Sequence, residues 1–298
     1  MNRTLPDVYL NPFTDFGFKK LFGEEANKQL LIDFLNTFLP AHHQIAELSY
    51  TKSEQLGRTE IDRKAIYDLA CISKGSGERF IVEMQKAKQK YFKDRSVFYA
   101  TFPIQEQAQK GAWNYQLSAI YTFGILDFEF DDDTKVGDRN PIHIVQMKDQ
   151  HNRVYYDKLT FIYITLPSFT KTEDELVTHQ DKWIYAFKYL ATFDEIPKAL
   201  QESIFLDFFE TARLAKLNDD DYTIYQNSLK AYRDWDAVYS YGIEEAEQKG
   251  LQKGLQQGLE QGKMEEKLTI ARNLLAVMDD AAIAGITGLT VGQVAALR

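Results

Sequence analysis

Cysteine is all but missing from this chain of 298 residues, where Cys71 stands alone. An internal disulfide is therefore excluded, and a reducing compartment, the cytoplasm, is the expectation. No stretch approaches the ~20 apolar residues of a membrane-spanning helix, and the amino terminus lacks the basic and apolar regions of a signal peptide, so no membrane contact is expected. Net positive charge is lacking too: 35 Lys and Arg against 44 Asp and Glu leave −9. Such a chain does not coat nucleic acid electrostatically, and any contact must come from a local basic cluster. The five histidines, His42, His43, His143, His151 and His179, show no zinc-ligand spacing. Asp131-Asp132-Asp133 and Asp219-Asp220-Asp221 are contiguous rather than alternating, which does not suit a calcium loop and reads as solvated turns. Neither a Gly-x-Ser-x-Gly elbow nor a Gly-x-x-x-x-Gly-Lys phosphate loop occurs.

What is present suffices for a large core: 44% of residues are hydrophobic and 27% charged, as in ordinary soluble globular proteins. The length predicts one large domain, or one with an appendage. Leu30, Leu31, Phe34, Leu35 and Phe38 recur three and four apart, a helix that Pro40 ends. Residues 44–52 and 58–72 read as strands, and Gly75-Ser76-Gly77 joins the second of them to Arg79–Gln85 as a hairpin. Residues 93–110 read as a helix, and 119–130, 141–148 and 154–166 as further strands. From 172 to about 241 the period becomes helical again, with Trp183, Phe187, Leu190, Phe205, Phe208 and Phe209 facing a core. Strands come first and helices cap them, an α/β organisation.

After Tyr241 the composition shifts, and glycine recurs every fourth position from Gly250 to Gly262. Each glycine costs about 1 kcal/mol of helix propensity against alanine, while the intervening Gln, Lys, Glu and Leu favour helix. The expected organisation is therefore a domain over 1–241 with a helical cap, a Gly/Gln/Leu repeat over 242–262 that is linker or helix, and a small helical module over 263–298. In the last, Gly288 separates two short helices and Thr290 caps the second.

The chemistry is expected on the hairpin. Asp68 lies inside the apolar run 65–72, and Glu83 inside Phe80–Gln85. A buried carboxylate is costly unless paired, hydrogen-bonded or bound to metal. Glu83 and Gln85 share one face of their strand, and a paired neighbour can bring Asp68 to it. Two carboxylates suit Mg²⁺, which takes oxygen ligands and keeps waters able to attack a phosphodiester. The alternative is that Asp68 is only the partner of Arg63 or Arg79.

These residues resemble the PD-(D/E)XK nuclease family transposases, the recombination-promoting nucleases. The likeness covers the opening Asn11-Pro12-Phe13-Thr14-Asp15-Phe16-Gly17-Phe18-Lys19-Lys20-Leu21-Phe22-Gly23, then Tyr67-Asp68-Leu69, Ile81–Gln85, Asp94-Arg95-Ser96, Gln107 and the glycine-repeat tail. It implies a restriction-endonuclease-like mixed sheet flanked by helices, with a helical tail. It also implies that Asp68, Glu83 and Gln85 are the metal-binding and catalytic positions of a Mg²⁺-dependent DNA endonuclease, with Mn²⁺ as a substitute. The Met84 carbonyl would complete the site. The wider superfamily carries lysine where Gln85 stands, so the cation that steadies the water or the developing charge is missing.

Asp15 is a candidate third ligand, although Thr14 or Asp15 equally suits a helix N-cap. Lys19 and Lys20 could meet a phosphate or only solvent. Directly after the strand, Lys86, Lys88, Lys90, Lys93 and Arg95 form the one dense basic stretch, a candidate DNA contact. Gln105 and Gln107 on the following helix are candidates for the cleft. Three functions stand at this point: the endonuclease, an interaction or assembly module that keeps a nuclease-like fold and cleaves little, and a DNA-binding regulator. The last is disfavoured because Arg298 is the sole cation in residues 279–298. The tail is either a homo-oligomerisation element or a flexible tether.

Overall fold

The computed structural model describes residues 7–51, 54–55, 65–108, 111, 113–131 and 140–298. The chain opens on the helices α1 (Asp15–Phe22) and α2 (Lys28–Phe38), then strand β1 (Leu48–Tyr50). The short β2 (Glu54–Gln55) and β3 (Ala65–Ile66) pair with each other, antiparallel, in a separate two-stranded sheet among the described residues. The hairpin β4 (Leu69–Ser73) and β5 (Arg79–Gln85) follows, then α3 (Phe92–Glu106), β6 (Ile120–Leu126), β7 (Ile142–Lys148) and β8 (Val154–Thr165). Helices α4 (His179–Tyr189), α5 (Ser203–Ala212), α6 (Asp219–Leu274), α7 (Asp280–Thr287) and α8 (Val291–Ala295) complete it. The strand expected over 58–72 is broken: Tyr67 and Asp68 lie outside any ladder, and residues 58–64 fall outside the described part.

Six strands form one mixed sheet in the order β1-β4-β5-β6-β8-β7. β5, β6 and β8 run parallel, with α3 as the crossover between the first two, while β1, β4 and β7 run antiparallel to their neighbours. Alternation assigns the two faces. Phe80, Val82, Phe123, Ile125, Ile162 and Ile164 join the main core with α1, α2, α4 and α5. Ile81, Leu126, Phe161 and Tyr163 belong to smaller clusters under α3. The main core is dense in rings: Phe22 stacks on Phe187 at 6.1 Å and Trp183 meets Phe34 edge-on at 5.6 Å. A helix layer on each face makes the α/β architecture expected from the sequence.

Local chemistry explains the opening motif. Thr14 caps α1, its Oγ1 accepting from the Gly17 N–H at 3.0 Å and donating to the Asn11 carbonyl at 2.8 Å. A Cβ on Gly17 would overlap that carbonyl, so the tight return of Asn11 over the first turn requires glycine. Asp219, Asp220 and Asp221, read as a solvated turn, are instead the first turn of α6, where negative charge meets the positive end of the helix dipole. Asp132 and Asp133 lie outside the described residues.

The chain divides into two compact units, Met1–Tyr232 and Arg233–Arg298. α6 continues unbroken through the glycine repeat, and no interruption marks residue 242. In the second unit Ala271, Ile283, Leu289 and Val294 form a small core. Gly288 ends α7 at φ +69°, and Thr290 caps α8 through a capping box with Gln293, as its spacing predicts. Among the described residues no helix is long and apolar enough to cross a membrane.

Candidate active site

The register of the hairpin carries the two acids to each other. Leu69 pairs with Val82, so Asp68, one residue before β4, continues the antiparallel register opposite Glu83. The chain leaves the ladder there, and the Asp68 side chain takes over the next ladder position: its Oδ2 accepts the Met84 N–H at 2.7 Å. Burial pushes the Asp68 carboxyl above the usual range, and that hydrogen bond opposes the shift. Of its two expected partners, Arg79 pairs instead with Glu106 at 2.5 Å, and Arg63 lies outside the described residues.

Glu83 is 8% exposed. Burial raises its carboxyl to about 7, with the Asp68 charge adding to the rise and Arg95 opposing it. The wall that dries it comes from the neighbouring strands. Gly124 pairs with Glu83 and Tyr163 with Gly124, and the Tyr163 ring lies 2.7 Å from where a Cβ on Gly124 would stand. Glycine at 124 lets that ring lie flat across the sheet beside the acid. Sequence reading missed both residues. The signal available was a glycine inside the apolar run 120–126, where a close approach is the usual reason for it.

Gln85 is held at both ends: its Nε2 donates to the Ala87 carbonyl at 3.1 Å and its Oε1 accepts from Arg95 Nη2 at 2.6 Å. The same Nη2 stands 3.5 Å from Glu83 Oε2, and Arg95 Nη1 donates to Gln89. On the other side of Asp68 a cleft of about 470 Å³ is lined by Asp15, Lys19, Lys20, Tyr50, Asp68 and Ser228, among others. Asp15 is the first residue of α1 and not its cap. It is 68% exposed at the side chain and pairs with Lys19 at 2.7 Å, yet its charge still reaches Asp68. Lys20 is spent on Asp221 and Glu24, each at 3.0 Å.

A family model described as PD-(D/E)XK nuclease family transposase matches residues 12–242, most of the chain. The chain belongs to that family. No curated protein and no solved structure matches it. PD-(D/E)XK nucleases typically use divalent metal ions, and the donors here fit one. Asp68 and Glu83 are two carboxylates set against each other, Glu83 buried and Asp68 half-buried beside the cleft, with Arg95 against Glu83 and the charges of Lys19 and Arg95 reaching Asp68. Hard oxygen donors of that kind suit a small divalent cation. Among the described residues no cluster of three or more His, Cys, Asp or Glu gathers as a metal site. Two carboxylates are enough where water and phosphate oxygens fill the remaining positions, as is usual for Mg²⁺.

The basic stretch after β5 divides on folding. Lys88 pairs with Asp131, Lys90 lies over the Tyr91 ring at 5.3 Å and Lys93 over the Phe130 ring at 5.0 Å, all three with exposed side chains. Lys86 turns inward, its ammonium 3.2 Å from the Tyr232 ring centroid. Arg95 points at Glu83 and Gln85 rather than outward. Gln107 is not brought to the acids. Its Oε1 accepts from Ser118 N–H at 2.7 Å and its Nε2 donates to the Pro103 carbonyl at 3.2 Å, fastening the loop before β6 at the end of that strand away from Gly124.

Proposed function

We propose that the chain is a divalent-metal-dependent DNA endonuclease, Mg²⁺ being the expected ion and Mn²⁺ a substitute. The observation that carries the reading is the pair Asp68 and Glu83, opposite each other, Glu83 buried and Asp68 half-buried, with both carboxyls held above their usual range despite Arg95. These two carboxylates, with the Met84 carbonyl, would hold the ion, and Asp15 at the cleft mouth is the further candidate. When bound, the metal supplies Lewis-acid polarisation of the phosphodiester and an acidified water. In the hydrolysis the water oxygen joins phosphorus, one P–O bond breaks, and the leaving oxygen takes a proton. The Met84 N–H positions Asp68, Gln85 holds Arg95 beside Glu83, Tyr163 and Gly124 exclude solvent from Glu83, and Lys88, Lys90 and Lys93 present positive charge beside the strand that carries it.

Supercoiled plasmid incubated with the protein should be nicked with Mg²⁺ or Mn²⁺ and left intact with EDTA. The second reading, an assembly module that cleaves little, draws on Gln85 standing in place of lysine and on α6, where Leu251 and Leu255 are 76% and 73% exposed. Mn²⁺ binding without any nicking would favour it. Under either reading, self-association belongs to the tail: truncation after Tyr241 should turn an oligomer into a monomer by light scattering. A full-length chain that is monomeric at micromolar concentration rules that out.

Lys88, Lys90 and Lys93 changed together to glutamine should weaken duplex binding equally for all sequences. The slope of log affinity against log salt should flatten by about 2 to 3, because each phosphate contact contributes about 0.9. Lys86→Gln should leave the slope alone, since that ammonium is turned onto Tyr232. A fluorescence-anisotropy titration from low to moderate salt measures both.

A further inference from the structure

The strand that carries Glu83 lacks a lysine two residues on, but the site does not lack a cation. Arg95 stands in the first turns of α3, and three observations place its charge at the acids. Its Nη2 is 2.6 Å from Gln85 Oε1 and 3.5 Å from Glu83 Oε2. Its guanidinium is packed between the Phe92 and Tyr99 rings, at 5.8 and 5.6 Å. Its Nε is buried and has no hydrogen-bond partner among the described residues, so part of the guanidinium is desolvated.

We propose that Arg95 is the charge-supplying residue of the cleavage site, delivered from α3 and anchored by Gln85 in place of a lysine on β5. This rests on the nuclease reading above. The exchange explains why glutamine serves at position 85: a lysine there would set two cations against each other, whereas the amide oxygen holds the guanidinium beside Glu83. During hydrolysis negative charge grows on the phosphate and on the departing oxygen. A fixed, partly desolvated guanidinium next to the metal-binding acid stabilises that growth more than it stabilises the uncut strand. Before an ion arrives, the same guanidinium offsets part of the repulsion between Asp68 and Glu83.

The test uses the full-length protein at pH 8 with Arg95→Gln, Arg95→Lys and the double variant Gln85→Lys/Arg95→Gln. Three readouts are taken: Mn²⁺ affinity by calorimetry without DNA, duplex affinity with Ca²⁺ in place of Mg²⁺, and the nicking rate with Mg²⁺. Arg95→Gln should tighten Mn²⁺ binding several-fold, up to about tenfold, because a neighbouring positive charge is gone. Nicking should fall by about 10²-fold, the usual effect of losing one preorganised donor. Duplex affinity should change by less than about threefold, the weight of one phosphate contact. Arg95→Lys should keep Mn²⁺ affinity near that of the parent, which shows that the fold and the charge both survive. The double variant, with its cation returned to the strand, should recover most of the lost nicking.

Unchanged Mn²⁺ affinity in Arg95→Gln overturns the proposal, whatever happens to cleavage. So does a nicking loss accounted for by duplex affinity and not restored in the double variant, which would make Arg95 an ordinary phosphate contact. If the parent binds Mn²⁺ through Asp68 but never nicks DNA, the nuclease reading fails. The response of Mn²⁺ affinity to Arg95→Gln still decides whether the guanidinium belongs to the metal site.

Discussion

Alanine at Asp68 or at Glu83 is expected to lower divalent-dependent nicking by about 10³-fold or more, the scale seen when a group that acts as a unit with its neighbours is removed. The two losses should not add, because each variant alone disables the same ion. The folded state should survive both. Asp68→Ala gives up the 2.7 Å bond to the Met84 N–H, a net cost of about 1–3 kcal/mol, but it also removes a carboxylate that stands against Glu83. Rates on supercoiled plasmid, with far-ultraviolet circular dichroism as the fold control, measure the effect. Either variant cutting at the parental rate would move the site elsewhere.

The second large effect concerns stability and has a definite sign. Folding raises the Glu83 carboxyl from about 4.5 to about 7 because the charged form is buried. As pH rises, the unfolded chain therefore releases this proton first. The stability associated with the protonated group is complete below about pH 4.5, is lost between there and about pH 7, and changes no further above it. The loss corresponds to about 3 kcal/mol at 1.36 kcal/mol per unit. Glu83→Gln keeps the shape of the protonated acid and cannot ionise, so without metal it should melt about 6 °C or more above the parent at pH 8 and together with it at pH 4.5. Mn²⁺ should narrow the gap at pH 8 by stabilising only the parent, since it binds the carboxylate. Scanning calorimetry at pH 4.5, 6 and 8 measures this. A gap that does not vary with pH would mean that burial is not what strains Glu83.

The same conflict between acid and burial made the candidate site legible without a structure. Asp68 and Glu83 contradict the apolar runs around them, and a contradiction of that kind needs a pairing or an ion to resolve it. Period-two alternation put Glu83 and Gln85 on one face, and the short hairpin turn set the register that brings Asp68 opposite. The α2 helix, the strands β6 to β8, and the α7–Gly288–Thr290–α8 arrangement were readable for a similar reason: each is decided by contacts a few residues apart, through spacing and capping.

Tertiary structure decided whatever depends on residues distant in sequence. Arg95 occupies a helical position that local rules allow to face solvent. Only the parallel crossover from β5 through α3 to β6 turns it onto Gln85 and Glu83. Gln107, twelve residues further on the chain and of the same polar character, is carried by the same helix to the far end of β6. The flat approach of Tyr163 over Gly124 requires β8 to lie beside β6, with β7 pushed to the edge, an order that no local pattern encodes. Asp219 to Asp221 became a helix start rather than a turn through α6, whose early turns give Lys20 its Asp221 partner. Spacing along the chain specifies which face a side chain occupies, but strand order and helix crossover determine what that face meets.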